Sequence, residues 1–95
     1  MQVAQYIFDQ LARWGTEMVF MITGGGAMFL NAAAGREKRI RYIPCLHEQA
    51  CAIAAEGYAR IARKPGVVCV TSGPGGTNAI TGVTGAWLDS IPMIV

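Results

Sequence analysis

The sequence predicts an α/β fold in which crossover helices connect the strands of a parallel sheet, and three observations predict it. Short apolar runs of strand length recur at Met18–Ile22, from about Ile40 to Leu46, at Val67–Thr71 and from Ser90 to Val95. Segments with helical periodicity separate them, and strand, helix and strand in alternation imply parallel pairing. Two of the runs break at once into glycine-rich segments, Thr23-Gly24-Gly25-Gly26 and Ser72-Gly73-Pro74-Gly75-Gly76, as loops do where a strand gives way to a helix.

The elements follow in order. Val3, Ile7, Leu11 and Trp14 fall on one stripe of a 3.6-residue period, which predicts an amphipathic helix ending at Gly15 in a left-handed conformation. Met18–Ile22 is continuous enough to be a strand buried on both faces. After the glycine triplet a short helix is expected from Ala27 to Ala34, before Gly35. Pro44 inside the second strand argues for an edge or strand-end position, because proline cannot donate to a ladder. The longest helical pattern runs from about Glu48 to Arg63, with Ala50, Ile53, Ala54, Gly57, Tyr58 and Ile61 marking its expected inner face. Glu48 at its start and Arg60, Arg63 and Lys64 at its end suit the helix dipole, and Pro65-Gly66 stops it. A third strand, Val67–Thr71, is followed by a helix from about Thr77 to Leu88. A fourth strand begins at Ser90, where the sheet is expected to be incomplete at its C-terminus.

Composition narrows the function. The chain has 95 residues, of which 53% are hydrophobic and 15% charged. It is too apolar to be disordered and lacks the polar coat of a small independent domain, which predicts a part of a larger buried assembly. A net charge of +2, with Arg36, Lys38, Arg39 and Arg41 reading as a solvated loop, argues against nucleic-acid binding. No apolar run reaches the ~20 residues of a membrane span, and the N-terminus lacks the pattern of a signal peptide. Cys45, Cys51 and Cys69 have no CxxC spacing and His47 is the one histidine, so no metal site is expected and reduced thiols in a cytoplasmic setting are the default.

Ligands of open parallel sheets bind outside the carboxyl ends of the strands. Three segments should gather there: Thr23 to Gly26, Leu46 to Gln49, and Ser72 to Asn78. Glycine in such loops suggests phosphate or nucleotide binding, but tight turns also use it. Neither segment completes G-x-G-x-x-G, since Phe29 and Asn78 stand where the last glycine belongs, and neither ends in the Lys-Ser/Thr of a P-loop. A Rossmann-type dinucleotide site, with Glu48 on a ribose hydroxyl, is therefore disfavoured. Glu48 read alone is a helix-start carboxylate favoured by the dipole. Its place between an apolar strand and an alanine-rich helix predicts burial, and a buried carboxylate suits proton sharing near neutral pH. His47 is expected to be exposed, as a helix cap or a ligand neighbour with at most a supporting role.

Three motifs, in order, carry a family resemblance. His47-Glu48-Gln49-Ala50 with Ala54-Ala55-Glu56-Gly57-Tyr58-Ala59-Arg60 resembles the segment around the cofactor glutamate of thiamine diphosphate-dependent enzymes, in the branch of acetolactate synthase, pyruvate oxidase and pyruvate decarboxylase. Thr71-Ser72-Gly73-Pro74-Gly75-Gly76-Thr77-Asn78 resembles their second signature, and Trp87-Leu88-Asp89-Ser90-Ile91-Pro92-Met93 a third. The similarity spans the whole chain and corresponds to about the first half of the N-terminal pyrimidine-binding domain, residues 1–95, of the thiamine diphosphate-binding fold.

The resemblance implies a catalytic role for Glu48. In the family this glutamate bonds N1′ of the aminopyrimidine and favours the tautomer that removes the C2 proton of the thiazolium, enabling attack on a 2-keto acid for carboligation or decarboxylation. By the same resemblance Gly24 and Gly25 approach the pyrimidine closely, and Pro74 and Asn78 lie near the same ring. The family commonly has Pro-Gly where this chain has Thr23-Gly24. Gly82, Gly85 and Ala86 permit close helix approach, serving either a family dimer contact or packing within the chain. The family holds the diphosphate through Mg2+ on a C-terminal domain with a Gly-Asp-Gly segment and paired asparagines, which these residues lack, and a second subunit of a homodimer or tetramer supplies that domain. FAD, where a member uses it, belongs to a middle domain. The implied protein is a transferase or lyase of which this chain is a part. The alternative is a non-catalytic pyrimidine-type domain that packs on a larger subunit.

Overall fold

The computed structural model describes residues 1–95. Helix α1 (Val3–Arg13) leads into strand β1 (Met18–Met21), then a 3-10 turn (Gly25–Ala27) and α2 (Met28–Arg36). Strand β2 (Arg41–Pro44), helix α3 (Glu48–Ala62), strand β3 (Gly66–Cys69), helix α4 (Pro74–Leu88) and strand β4 (Met93–Ile94) complete the order. The four strands pair in parallel in the order β2-β1-β3-β4, the α/β architecture expected.

Alternation along the strands divides the core into two layers. Val19 and Met21 of β1 and Val67 and Cys69 of β3 point to one face, where Phe8 and Leu11 of α1 and Ala33 and Ala34 of α2 cover them. Phe20 and Val68 point to the other, under Cys51, Ala52 and Ala55 of α3 and Ala79 of α4. Because α2 and α3 lie on opposite faces, the chain leaves β1 toward β2 on one side and returns to β3 on the other. That reversal opens a crevice at the carboxyl ends of β1 and β3.

The register sets the height of that crevice. Met21 pairs with Pro44 and with Cys69, so three strands end level and their loops emerge side by side. Pro44 is both the last residue of β2 and part of the edge strand, as its missing N–H requires. Gly15 has φ +89°, the left-handed position expected after α1.

Two helices bury a different face from the one periodicity selects. In α1 only Leu11 of the expected stripe is buried, while Val3 and Trp14 are 76% and 70% exposed. The buried residues are Phe8 and Leu11, with Ala4 and Ala12 half-buried beside them, a stripe rotated by one residue. This helix carries two overlapping apolar stripes, and Phe8, which fills the layer below α2, decides between them. In α3 the inner residues are Cys51, Ala52, Ala55 and Ala59, with Ala54 and Tyr58 half-buried and Ile53 and Ile61 exposed. Size explains the inversion. A Cβ on Gly66 of β3 would collide with the Ala55 carbonyl, and one on Gly82 of α4 would collide with Ala52. The elements approach so closely that only alanine and cysteine fit between them, and isoleucine is turned outward.

Boundaries also shift. Helix α2 runs through Gly35 to Arg36, and α3 ends at Ala62 with Arg63 in the left-handed conformation at φ 56°. Helix α4 starts at Pro74, three residues before the expected Thr77, because proline's fixed φ and missing N–H suit the first helical position. The close fit of Gly82 against α3 gives this glycine a role inside the chain. No helix is long and apolar enough to cross a membrane.

Candidate functional site

The loops after β1, β2 and β3 converge at the level strand ends, and Thr71 ties two of them together. The Gly26 N–H donates to Thr71 Oγ1 at 3.1 Å. A Cβ on Gly24 would stand 2.5 Å from Thr71 Cβ, and one on Gly75 would stand 2.9 Å from Thr71 Cγ2. Glycine at both positions is what lets the first loop and the start of α4 close on the same side chain. Asn31 of α2 donates from Nδ2 to the Gly24 carbonyl at 3.4 Å and holds the first loop from behind. Gly73, at φ 72°, turns the chain from β3 into α4 in a conformation that disfavours side chains.

Glu48 enters from the second loop as the first residue of α3. His47 precedes it as the N-cap, and its Nδ1 accepts from the Gln49 N–H at 3.0 Å, the capping role that was one of the two expected. Asn78, one turn into α4, donates from Nδ2 to Glu48 Oε2 at 3.2 Å. Oε1 accepts no hydrogen bond within the chain, and it lies 3.6 Å from where a Cβ on Gly75 would stand. Glu48 is half-buried, where the sequence predicted burial. Cys51 and Ala52 further along α3 are enclosed, but Gln49 and Ala50 in its first turn are exposed.

Charge isolates this carboxylate. The chain has six acidic side chains, and five are ion-paired: Asp9 with Arg13 and Arg39, Glu17 with Lys64, Glu37 with Arg39, and Glu56 and Asp89 with Arg60. Glu37, Arg39, Glu17 and Lys64 lie in the connections that lead into β2, β1 and β3, at the amino end of the sheet. Glu48 stands at the opposite end, with an amide as its partner and no cation. Two helix N-termini, of α3 and α4, point their unpaired N–H groups into the same region. A carboxylate oxygen with a free lone pair, beside backbone donors and uncluttered by side chains, can share a proton with a polar heteroatom of a bound molecule.

The five residues singled out by sequence do not all touch. Glu48 and Asn78 are hydrogen-bonded, and Gly24 joins them through Thr71 and Gly75. Gly25 is exposed and nothing lies within 4 Å of where its Cβ would be, so the loop is bare there. Pro74 is exposed at the start of α4, and its carbonyl accepts from the Thr77 hydroxyl at 3.1 Å. Thr71 and Asn31 were not singled out as site residues. A β-branched hydroxyl residue directly before a Ser-Gly turn, and a lone asparagine in an apolar helix, are the sequence signals that could have marked them.

The family model for the N-terminal TPP binding domain of thiamine pyrophosphate enzymes matches residues 1–95. Acetolactate synthase 3, chloroplastic, of Brassica napus is 44% identical over 91 residues, which cover 96% of this chain and 14% of that protein. The chloroplastic acetolactate synthase of Arabidopsis thaliana shows the same identity and coverage. The acetolactate synthase large subunit of Lactococcus lactis subsp. lactis (strain IL1403) is 44% identical over 92 residues, 97% of this chain and 16% of that protein. The chain thus spans less than a fifth of the length of these relatives.

Proposed function

Since the chain belongs to the thiamine pyrophosphate enzymes, as an N-terminal TPP-binding domain of the acetolactate synthase-like kind, we propose that it is the pyrimidine-binding part of a longer enzyme acting on a 2-keto acid, with Glu48 as the residue that activates the cofactor. The observation that carries this reading is the isolation of Glu48: the one acidic side chain without a cationic partner stands at the crevice where three loops meet.

The residues present fit an aminopyrimidine ring. Gly25 leaves the loop after β1 bare, while Gly24 and Gly75 close on Thr71 and so bring the first loop and the start of α4 together beside Glu48. Pro74 and Asn78 border the same crevice from α4. When bound, thiamine diphosphate supplies a carbon nucleophile and an electron sink for making or breaking the bond beside a 2-keto group. Glu48 would present its free oxygen to a ring nitrogen as the group that shares the proton. Asn78, donating to Oε2, fixes the carboxylate's rotation so that Oε1 faces outward.

The diphosphate and its Mg2+ fall to another domain in this reading, contributed by a second subunit of a homodimer or tetramer. The exposed apolar residues at the mouth of the crevice, Met28, Phe29 and Leu46, suit such a neighbour. The chain is then a catalytic part that needs the rest of the enzyme for turnover. Calorimetric titration of the full-length protein tests the cofactor class. Thiamine diphosphate with Mg2+ should bind and NAD should not; NAD binding without thiamine diphosphate binding would overturn the reading.

A further inference from the structure

Three glycines from two loops close on one side chain. A Cβ on Gly24 would stand 2.5 Å from Thr71 Cβ, one on Gly26 would stand 2.9 Å from Thr71 Oγ1, and one on Gly75 would stand 2.9 Å from Thr71 Cγ2. The two branches of the threonine thus meet different partners. Oγ1 accepts the Gly26 N–H of the first loop at 3.1 Å, and Cγ2 rests on the first turn of α4. That same turn holds Glu48. Gly75 stands beside Oε1, which is 3.6 Å from where its Cβ would be, and Asn78 donates to Oε2 at 3.2 Å. Thr71 itself is half-buried and lies two residues past the end of β3, whose backbone the sheet fixes.

We propose that Thr71 is a positioning residue, whose hydroxyl fixes the first loop relative to Glu48 so that a bound aminopyrimidine ring is held against the carboxylate's free oxygen. The consequence for the cofactor rests on the function proposed above; the tie between loop and threonine rests on geometry alone. The segment Gly24–Gly26 has no side chain of its own to lock it, and around Gly25 there is open space. Two side chains from outside the loop hold it by hydrogen bonds. Asn31 Nδ2 reaches the Gly24 carbonyl at 3.4 Å from α2, and Thr71 Oγ1 takes the Gly26 N–H at 3.1 Å from the end of β3. Thr71 is the one of the two that also touches the helix turn beneath Glu48. Removing its hydroxyl leaves the carboxylate bonded to Asn78 but frees the loop next to it. A ring lying against a loosened loop spends less time in line with the carboxylate. Proton transfer, which requires heavy atoms about 2.6–3.2 Å apart, then slows.

Two variants of the full-length protein divide the side chain. Thr71→Val keeps the shape and the methyl on Gly75 but removes the acceptor, and Thr71→Ser keeps the acceptor but removes the methyl. In cofactor-free protein, hydrogen–deuterium exchange mass spectrometry of the peptide spanning residues 23–30 reads the tie. Exchange there should be faster than wild type in Thr71→Val and unchanged in Thr71→Ser. With thiamine diphosphate and Mg2+ at saturation, exchange at C2 of the bound cofactor should slow by about three- to tenfold in Thr71→Val, the scale of one neutral hydrogen bond, and stay within about twofold of wild type in Thr71→Ser. The urea midpoints of the two variants should agree, because Gly26 is exposed and its freed N–H bonds to water.

A residue that only holds the fold together would shift the urea midpoint and leave C2 exchange at saturation unchanged, and that result overturns the proposal. Peptide exchange at the wild-type rate in Thr71→Val overturns it as well, as does equal slowing of C2 exchange in Thr71→Ser. Thr71→Ala, which demands no space, gives the same comparison should Thr71→Val not fold. Slow C2 exchange in Glu48→Gln with a wild-type rate in Thr71→Val overturns the positioning role and leaves the cofactor reading standing. A released loop in a protein that binds no thiamine diphosphate overturns the cofactor reading, and the positioning role with it, while the tie between Thr71 and the loop stands.

Discussion

At the scale of single residues, Glu37 and Glu48 show how one side chain takes opposite roles. Glu37 is 8% exposed and clamped by Arg39, whose Nε and Nη2 donate to its two oxygens at 2.8 and 2.7 Å and whose backbone N–H adds a third bond at 3.1 Å. These bonds lower its pKa from 4.5 to about 2. Its folded value lies below its ordinary one, so its contribution to stability is complete above pH 4.5 and is lost as pH falls toward about 2. Acid unfolding of the full-length protein should show this limb, and Glu37→Gln should flatten it; an unchanged acid profile would remove the clamp from the account. Glu48 has no such partner. Its motif, His47-Glu48-Gln49-Ala50, was legible in the sequence, as was its place at the start of a helix. Its hydrogen bond to Asn78 was not, because that contact joins residues 30 apart and depends on the register of two helices.

At the scale of elements, strand order was open to reading only in part. Apolar runs located all four strands, and Pro44 marked the edge. The inner face of α3 was misread because hydrophobicity ranks isoleucine above alanine, whereas a helix pressed against Gly66 and Gly82 is selected for smallness. The start of α4 was misread because Gly75-Gly76 suggests a loop, although Pro74 and the N-cap at Gly73 begin a helix there. The same close packing makes a prediction with an internal contrast. Gly82→Val forces a side chain into Ala52 and should destabilise the full-length protein by about 1–3 kcal/mol in urea unfolding. Gly57→Ala, on the open side of α3 with nothing within 4 Å, should be neutral or stabilising by up to about 1 kcal/mol. Equal effects at the two sites would contradict the packing argument.

At the scale of the whole molecule, the apolar excess of the sequence reappears as exposed surface. Trp14, Ile61, Trp87 and Leu88 are among the large side chains left open, and two of them, Trp87 and Leu88, close α4 beside the last strand. On the proposed function these surfaces meet the remainder of the enzyme and a second subunit. On the same proposal this domain activates the cofactor, and the diphosphate is gripped elsewhere. That division separates affinity from activation, and one variant reads both. In the full-length protein, Glu48→Gln should still bind thiamine diphosphate with Mg2+ to within a few-fold of the wild-type affinity. Its rate of hydrogen–deuterium exchange at C2 of the bound cofactor, followed by proton NMR after acid quench, should fall by about 10²-fold or more, the scale of a lost acid–base group. Exchange at a near wild-type rate in Glu48→Gln would contradict the account.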